Sequence, residues 1–176
     1  MEVMQKRSLV ERMRGAALLE VPVYEEVEHD TTATPQAAVV VGIVAVAAAI
    51  GGLSTGGRGV ISGLVGAYVG WLIWSGVTFL IGTRLFAGTA TWGELLRTIG
   101  FAQSPGVLRV LGIIPLLGWL VAIAVFVWQL VCGIVAIRQA LDFDTGKAIL
   151  TAALGWLAML ILMVVLGLAF GAGAWF

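Results

Sequence analysis

The chain has 176 residues, of which 60% are hydrophobic and 11% charged, with a mean hydropathy of +1.05. Soluble domains run near 45–50% apolar and about 25% charged, so these proportions exclude a disordered chain and a nucleic-acid binder and leave too little polar surface for a water-soluble enzyme. Ten basic and ten acidic residues cancel overall but not locally. Residues 1–34 carry four bases against seven acids, a net of −3, and the rest carries six against three, a net of +3. The pattern is an amphiphilic head on a nearly uncharged body, without a basic stripe to meet phosphates.

Residues 5–21 read as an amphipathic helix. Ser8-x-x-Glu11 has the spacing of a capping box, Val10, Met13 and Ala17 share a face, and Pro22 is expected to end the helix. It either lies in the headgroup region or stands solvated on the cytosolic side. Glu25, Glu26, Glu28, His29 and Asp30 then read as a solvated acidic linker, since one histidine among irregularly spaced acids makes a poor metal site. The first apolar run starts near Pro35 and reads as an uncleaved anchor, so two regions are expected: an N-terminal segment 1–34 and a transmembrane helical domain 35–176.

Four uncharged stretches contain spans near Pro35–Leu53, Val60–Gly82, Leu116–Ile137 and Ala148–Phe170. Each supplies roughly the 20 residues that a ~30 Å hydrocarbon core requires. Each must be helical, because backbone groups in lipid can be satisfied only within the segment. Thr34 and Pro35 suit the start of the first span.

Residues 91–114 are less regular. Thr91-x-x-Glu94 is a second capping box, and Ser104-Pro105 breaks the apolar helix it opens. The stretch is one kinked span or two re-entrant half-helices. Charge favours the kinked span. Five spans with the N-terminus inside place Lys6, Arg7, Arg12, Arg14, Arg84, Arg97, Arg138 and Lys147 on the inner side, against Arg58 and Arg109 outside. Four spans weaken that positive-inside bias to seven against three. The expected fold is therefore an all-α, polytopic five-span bundle, its third span kinked at Ser104-Pro105, preceded by the N-terminal amphipathic helix.

Small residues recur one turn apart at Gly52/Gly56, Gly59/Gly63, Gly66/Gly70 and Gly167/Gly171. In lipid, where burial from water cannot drive association, such spacing lets helix backbones approach closely. Gly59, Gly63, Gly66, Gly70, Gly167 and Gly171 are the candidate packing residues, within the chain or toward another subunit. Gln129 is the main polar residue deep in a clear span. It is expected to bond another helix, or else to line a path. Ser75 and Thr78 carry less weight, since their hydroxyls can bond back to their own helix. Arg109 is the one candidate ionisable group near mid-membrane. It snorkels or marks a buried polar site.

Trp71, Trp74, Trp92, Trp119, Trp156 and Trp175 are read mainly as interface anchors, with a ligand or pigment pocket as the alternative. Cys132, a lone cysteine in an apolar run, reads as a small buried hydrophobe. Asp144 reads as the cap of the last helix rather than part of a calcium loop. No catalytic constellation, metal site or cofactor motif emerges.

Four segments together carry a resemblance. They are Tyr24-Glu25-Glu26-Val27; Gly82-Thr83-Arg84-Leu85-Phe86-x-Gly88; Thr91-x-Gly93-Glu94-Leu95-Leu96-Arg97-x-x-Gly100-Phe101-Ala102-x-Ser104-Pro105; and Arg138-Gln139-Ala140-Leu141-Asp142-Phe143-x-Thr145-Gly146-Lys147-Ala148. In order and spacing they resemble the bacterial branch of the Yip (Rab-GTPase-interacting) membrane-domain family. The resemblance implies a five-span helical domain with a cytosolic N-terminal segment. Eukaryotic relatives organise membranes in vesicle traffic and contact prenylated Rab proteins. Only architecture and non-enzymatic character carry over here, without any binding residue.

The expected role is structural: a scaffold or accessory subunit of a membrane assembly, in contact with lipid, other membrane subunits or itself, in a bacterial inner membrane. The alternative is a small transporter or channel with a polar path near Gln103, Arg109 and Gln129.

Overall fold

The computed structural model describes residues 7–55, 60–114 and 117–170. Among the described residues there are seven α-helices: α1 (Leu9–Ala17), α2 (Val21–His29), α3 (Ala33–Gly51), α4 (Val60–Leu85), α5 (Trp92–Ala102), α6 (Gly118–Ala140) and α7 (Thr145–Phe170). A 3-10 turn covers Gly52–Thr55, and a longer 3-10 helix covers Ser104–Ile113. Among the described residues there is no strand. Four helices among the described residues are long and apolar enough to cross a bilayer: Ala33–Gly51, Ile61–Leu85, Gly118–Ala140 and Thr145–Val165.

Both capping boxes form. Glu11 N–H donates to Ser8 Oγ while Ser8 N–H donates to Glu11, and Thr91 and Glu94 do the same at the start of α5. Asp144 accepts from Lys147 N–H at 3.0 Å, capping the start of α7.

The N-terminal segment departs from the sequence reading. The first helix stops at Ala17, and a second begins at Val21 with Pro22 in its first turn. Proline lacks only a donor that has no partner there, so it opens α2 instead of closing α1. Leu19 takes a left-handed φ of 62° between them. The Glu20 and Leu19 amides return to the carbonyls of Gly15 and Ala16, a Schellman turn that folds the two helices into a hairpin. The acidic stretch is thus helical and partly buried, not a solvated linker. Val23, Tyr24 and Val27 are fully enclosed with Leu95, Phe101, Cys132 and Ile137, so the core lies where α2 meets α5 and α6. Cys132 is free and buried, as expected.

The hairpin is fixed by polar contacts. Tyr24 Oη donates to Ala16 O at 2.9 Å. Trp128 Nε1 donates to Ala17 O at 2.7 Å, so the hairpin turn sits level with the middle of α6. Arg12, 1% exposed, joins Glu26 (2.8 Å), Asp30 (2.7 Å) and Gln36 Oε1 (2.8 Å), tying both hairpin helices to the first turn of α3.

The stretch after α4 resolves into two elements. The α-helix ends at Ala102, and Pro105 sits near the start of the 3-10 helix. This helix is wedged between α3 and α6. Gly100 abuts Ala37, Gly106 abuts Val44 and Gly112 abuts Gly51, so the chain from α5 onward runs parallel to α3.

Candidate functional site

The polar centre of the bundle is built from the 3-10 helix and α6. Gln129 stands midway along α6, eleven residues from Gly118 and eleven from Ala140. At 1.5 Å per residue that is about 16 Å from either end. Arg109 Nη2 donates to Gln129 Oε1 at 2.7 Å. Gln129 Nε2 donates to Gln103 O at 3.0 Å and to Gln103 Oε1 at 2.9 Å. Gln129 thus links to other elements, as a buried amide must. Arg109 is anchored near the α3 terminus, where its carbonyl faces Gly51, yet its guanidinium reaches back to the middle of α6. Arg109 is half-buried, with its guanidinium turned toward α6. Among the described residues no carboxylate stands within salt-bridge distance of it.

Gly106 makes this geometry possible. A Cβ there would lie 2.4 Å from Val44 Cγ1 and 2.5 Å from Gln129 Nε2. Any side chain would push the amide away from Gln103.

Two cavities meet at this centre. The larger, about 460 Å³, lies between α3 and α4 along Val41, Val44, Ala45, Gly66 and Gly70. The smaller, about 280 Å³, lies among α4, α5, α6 and α7 beside Phe126, Gly133 and Trp156. Trp74, Gln103 and Arg109 border both.

The candidate packing glycines behave differently from one another. Gly63, Gly66, Gly70 and Gly167 have no neighbour within 4 Å of where a Cβ would stand, and the first three face the larger cavity. Gly59 and Gly171 lie outside the described residues. Close backbone approach occurs instead at Gly51, Gly112 and Gly118. Ser75 and Thr78 do not bond back to their helix. Their hydroxyls, with that of Thr151, are buried without a partner in the described structure.

The tryptophans mostly make contacts inside the bundle. Trp71 Nε1 donates to Leu96 O at 3.0 Å, and Trp156 takes Trp74 and Phe126 edge-on. Trp92, Trp119 and Trp156 are also exposed, and Trp175 lies outside the described residues.

Sequence reasoning missed two buried arginine sites and one buried acid. Arg12 and Arg97 are nearly fully enclosed, and Arg97 donates to the backbone carbonyls of Val27 and Glu28. Glu28 is 8% exposed, and burial pushes its carboxyl up to about 7. His29 opposes that rise, while Glu94, Asp142 and Glu25 add to it. Nothing in the local sequence separates these groups from solvated neighbours, because their partners lie on distant elements.

The family described as the Yip1 domain matches residues 24–166. No curated protein and no solved structure matches the chain.

Proposed function

The chain belongs to the Yip1 domain family, and on that premise we propose that it is a non-enzymatic multi-pass protein of scaffolding type, acting against lipid or as an accessory subunit of a membrane assembly. The supporting observation is where its most enclosed charges go. Arg12 and Arg97 clamp the α1–α2 hairpin to α3 and α5. The result is a hairpin locked into the bundle, its turn level with the middle of α6 and its charges paired within the fold. Chemistry or gating would keep such groups available to a substrate; a scaffold uses them to hold shape.

In this reading Thr91–Ile114 makes the third of five crossings. Eleven α-helical residues and ten 3-10 residues span about 36 Å, more than a hydrocarbon core, and their course parallel to α3 suits a crossing. The positive-inside bias then puts the N-terminus in the cytoplasm of a bacterial inner membrane. Purification in mild detergent, with mass determination and identification of co-purifying chains, tests the role. A particle larger than the 18.4 kDa protomer is expected. A lone protomer without companions overturns it.

The meeting of Gln103, Arg109 and Gln129 between two cavities favours a second reading, a small transporter or channel. Solute flux in reconstituted vesicles, abolished by Arg109→Ala, supports it. Absence of flux in the unmodified protein removes it.

A further inference from the structure

We propose that the cleft between α3 and α4 is a binding site for a single-chain lipid carboxylate, with the acid on Arg109 and the acyl chain between the two helices.

Arg109 carries a charge to mid-bundle, where an ion without a counter-charge is costly. Its one described bond is to the neutral Gln129, from Nη2. Arg109 borders both cavities. A carboxylate matches the planar guanidinium fork and supplies the missing negative charge.

The cavity walls set the rest of the ligand. Apart from Gln103 and Arg109, the described residues that bound the larger cavity are aliphatic, glycine and tryptophan residues. At about 460 Å³ it falls within the usual range of small-ligand sites, about 300–1,000 Å³. Gly63, Gly66 and Gly70 leave the α4 wall free of side chains where the chain would lie.

Depth selects one chain over two. The guanidinium meets Gln129 about 16 Å from either end of α6. A phospholipid whose phosphate reached that level would carry its glycerol and polar headgroup into hydrocarbon. A fatty acid brings only the carboxylate.

The test is thermal unfolding of the full chain in dodecyl maltoside at pH 8 with added oleate, oleyl alcohol or phosphatidylglycerol. Binding to the folded state raises Tm in a saturable way. Oleate is expected to raise Tm by several degrees, with oleyl alcohol and phosphatidylglycerol giving less than a quarter of that shift. Arg109→Gln is expected to lose most of the oleate shift and Arg109→Lys to keep part of it. Gly66→Leu fills the cleft while leaving the charge, and is expected to lose the shift as well; it decides the matter if Arg109→Gln does not fold. An alcohol or phosphatidylglycerol shift equal to that of oleate overturns the proposal. So does an oleate shift that survives Arg109→Gln or Gly66→Leu.

Discussion

Arg97, a residue of α5, closes the carbonyl end of α2 by donating from Nε to Val27 O at 2.9 Å. A helix C-terminus leaves its last carbonyls without intrahelical partners, and α2 receives a cation there from another helix. The same group binds Glu28 O through Nε and Nη2. One side chain thereby satisfies the terminus, offsets its negative dipole end and joins the hairpin to α5.

Arg97→Met keeps the bulk of the side chain and removes the donors. Two buried carbonyls then lose their partner, at a cost of about 2–4 kcal/mol. The expected outcome is a Tm lower by several degrees in detergent, and faster proteolysis between residues 17 and 30 than in the unmodified protein. Equal cleavage rates would show that Arg97 does not hold the hairpin.

Glu28 makes stability depend on pH. Its folded carboxyl titrates near 7, against an ordinary value of 4.5. Between those values the folded chain keeps a proton that the unfolded chain has released, so stability falls as pH rises and the loss is complete above about 7. Glu28→Gln removes this penalty. It is expected to stabilise the protein at pH 8 by on the order of 1 kcal/mol, discounted for water reaching the carboxyl, and to lose that advantage by pH 4.5. Thermal unfolding of both proteins at several pH values reads the difference. Glu26 runs the other way: burial raises its carboxyl, but hydrogen bonds from Arg12 and Arg7 outweigh that and hold it below 4.5. Its contribution is lost at low pH and does not confuse the window above.

Gly106→Ala places a methyl group against Val44 and Gln129. Overpacking of this kind costs about 1–3 kcal/mol. The variant is expected to unfold several degrees earlier, and pairing it with Val44→Ala, which opens space on one side, should recover part of the loss. Full stability in Gly106→Ala alone would contradict the tight contact between the 3-10 helix and α6.

Much of the fold is written locally. The two capping boxes, the cap at Asp144 and the four long apolar helices described depend on neighbours within a few residues or on composition over about twenty, and the sequence displays both. The α1–α2 hairpin was not legible because Pro22 suits the end of one helix and the beginning of the next; only the packing of Tyr24 against Ala16 and Cys132 decides between them. Arg12, Arg97 and Glu28 were missed for the same reason, since burial of a charge depends on partners 14 to 70 residues away. At the polar centre, Gln103, Arg109 and Gln129 could be named as unusual residues for lipid. That they touch follows from the 3-10 helix, whose longer rise per residue sets the register of Arg109 against α6 and which no periodicity in the sequence announced.

The bond from Trp128 to Ala17 joins residues 111 positions apart. A ribosome adding about 5–20 residues per second delivers the tryptophan several seconds after the alanine. Until then α1 and α2 have no seat on α6 and can pack only against elements made earlier, such as α5. The part of the chain made first is therefore among the last to reach its final place, and slowing translation beyond α5 should lengthen the time for which it is open to protease.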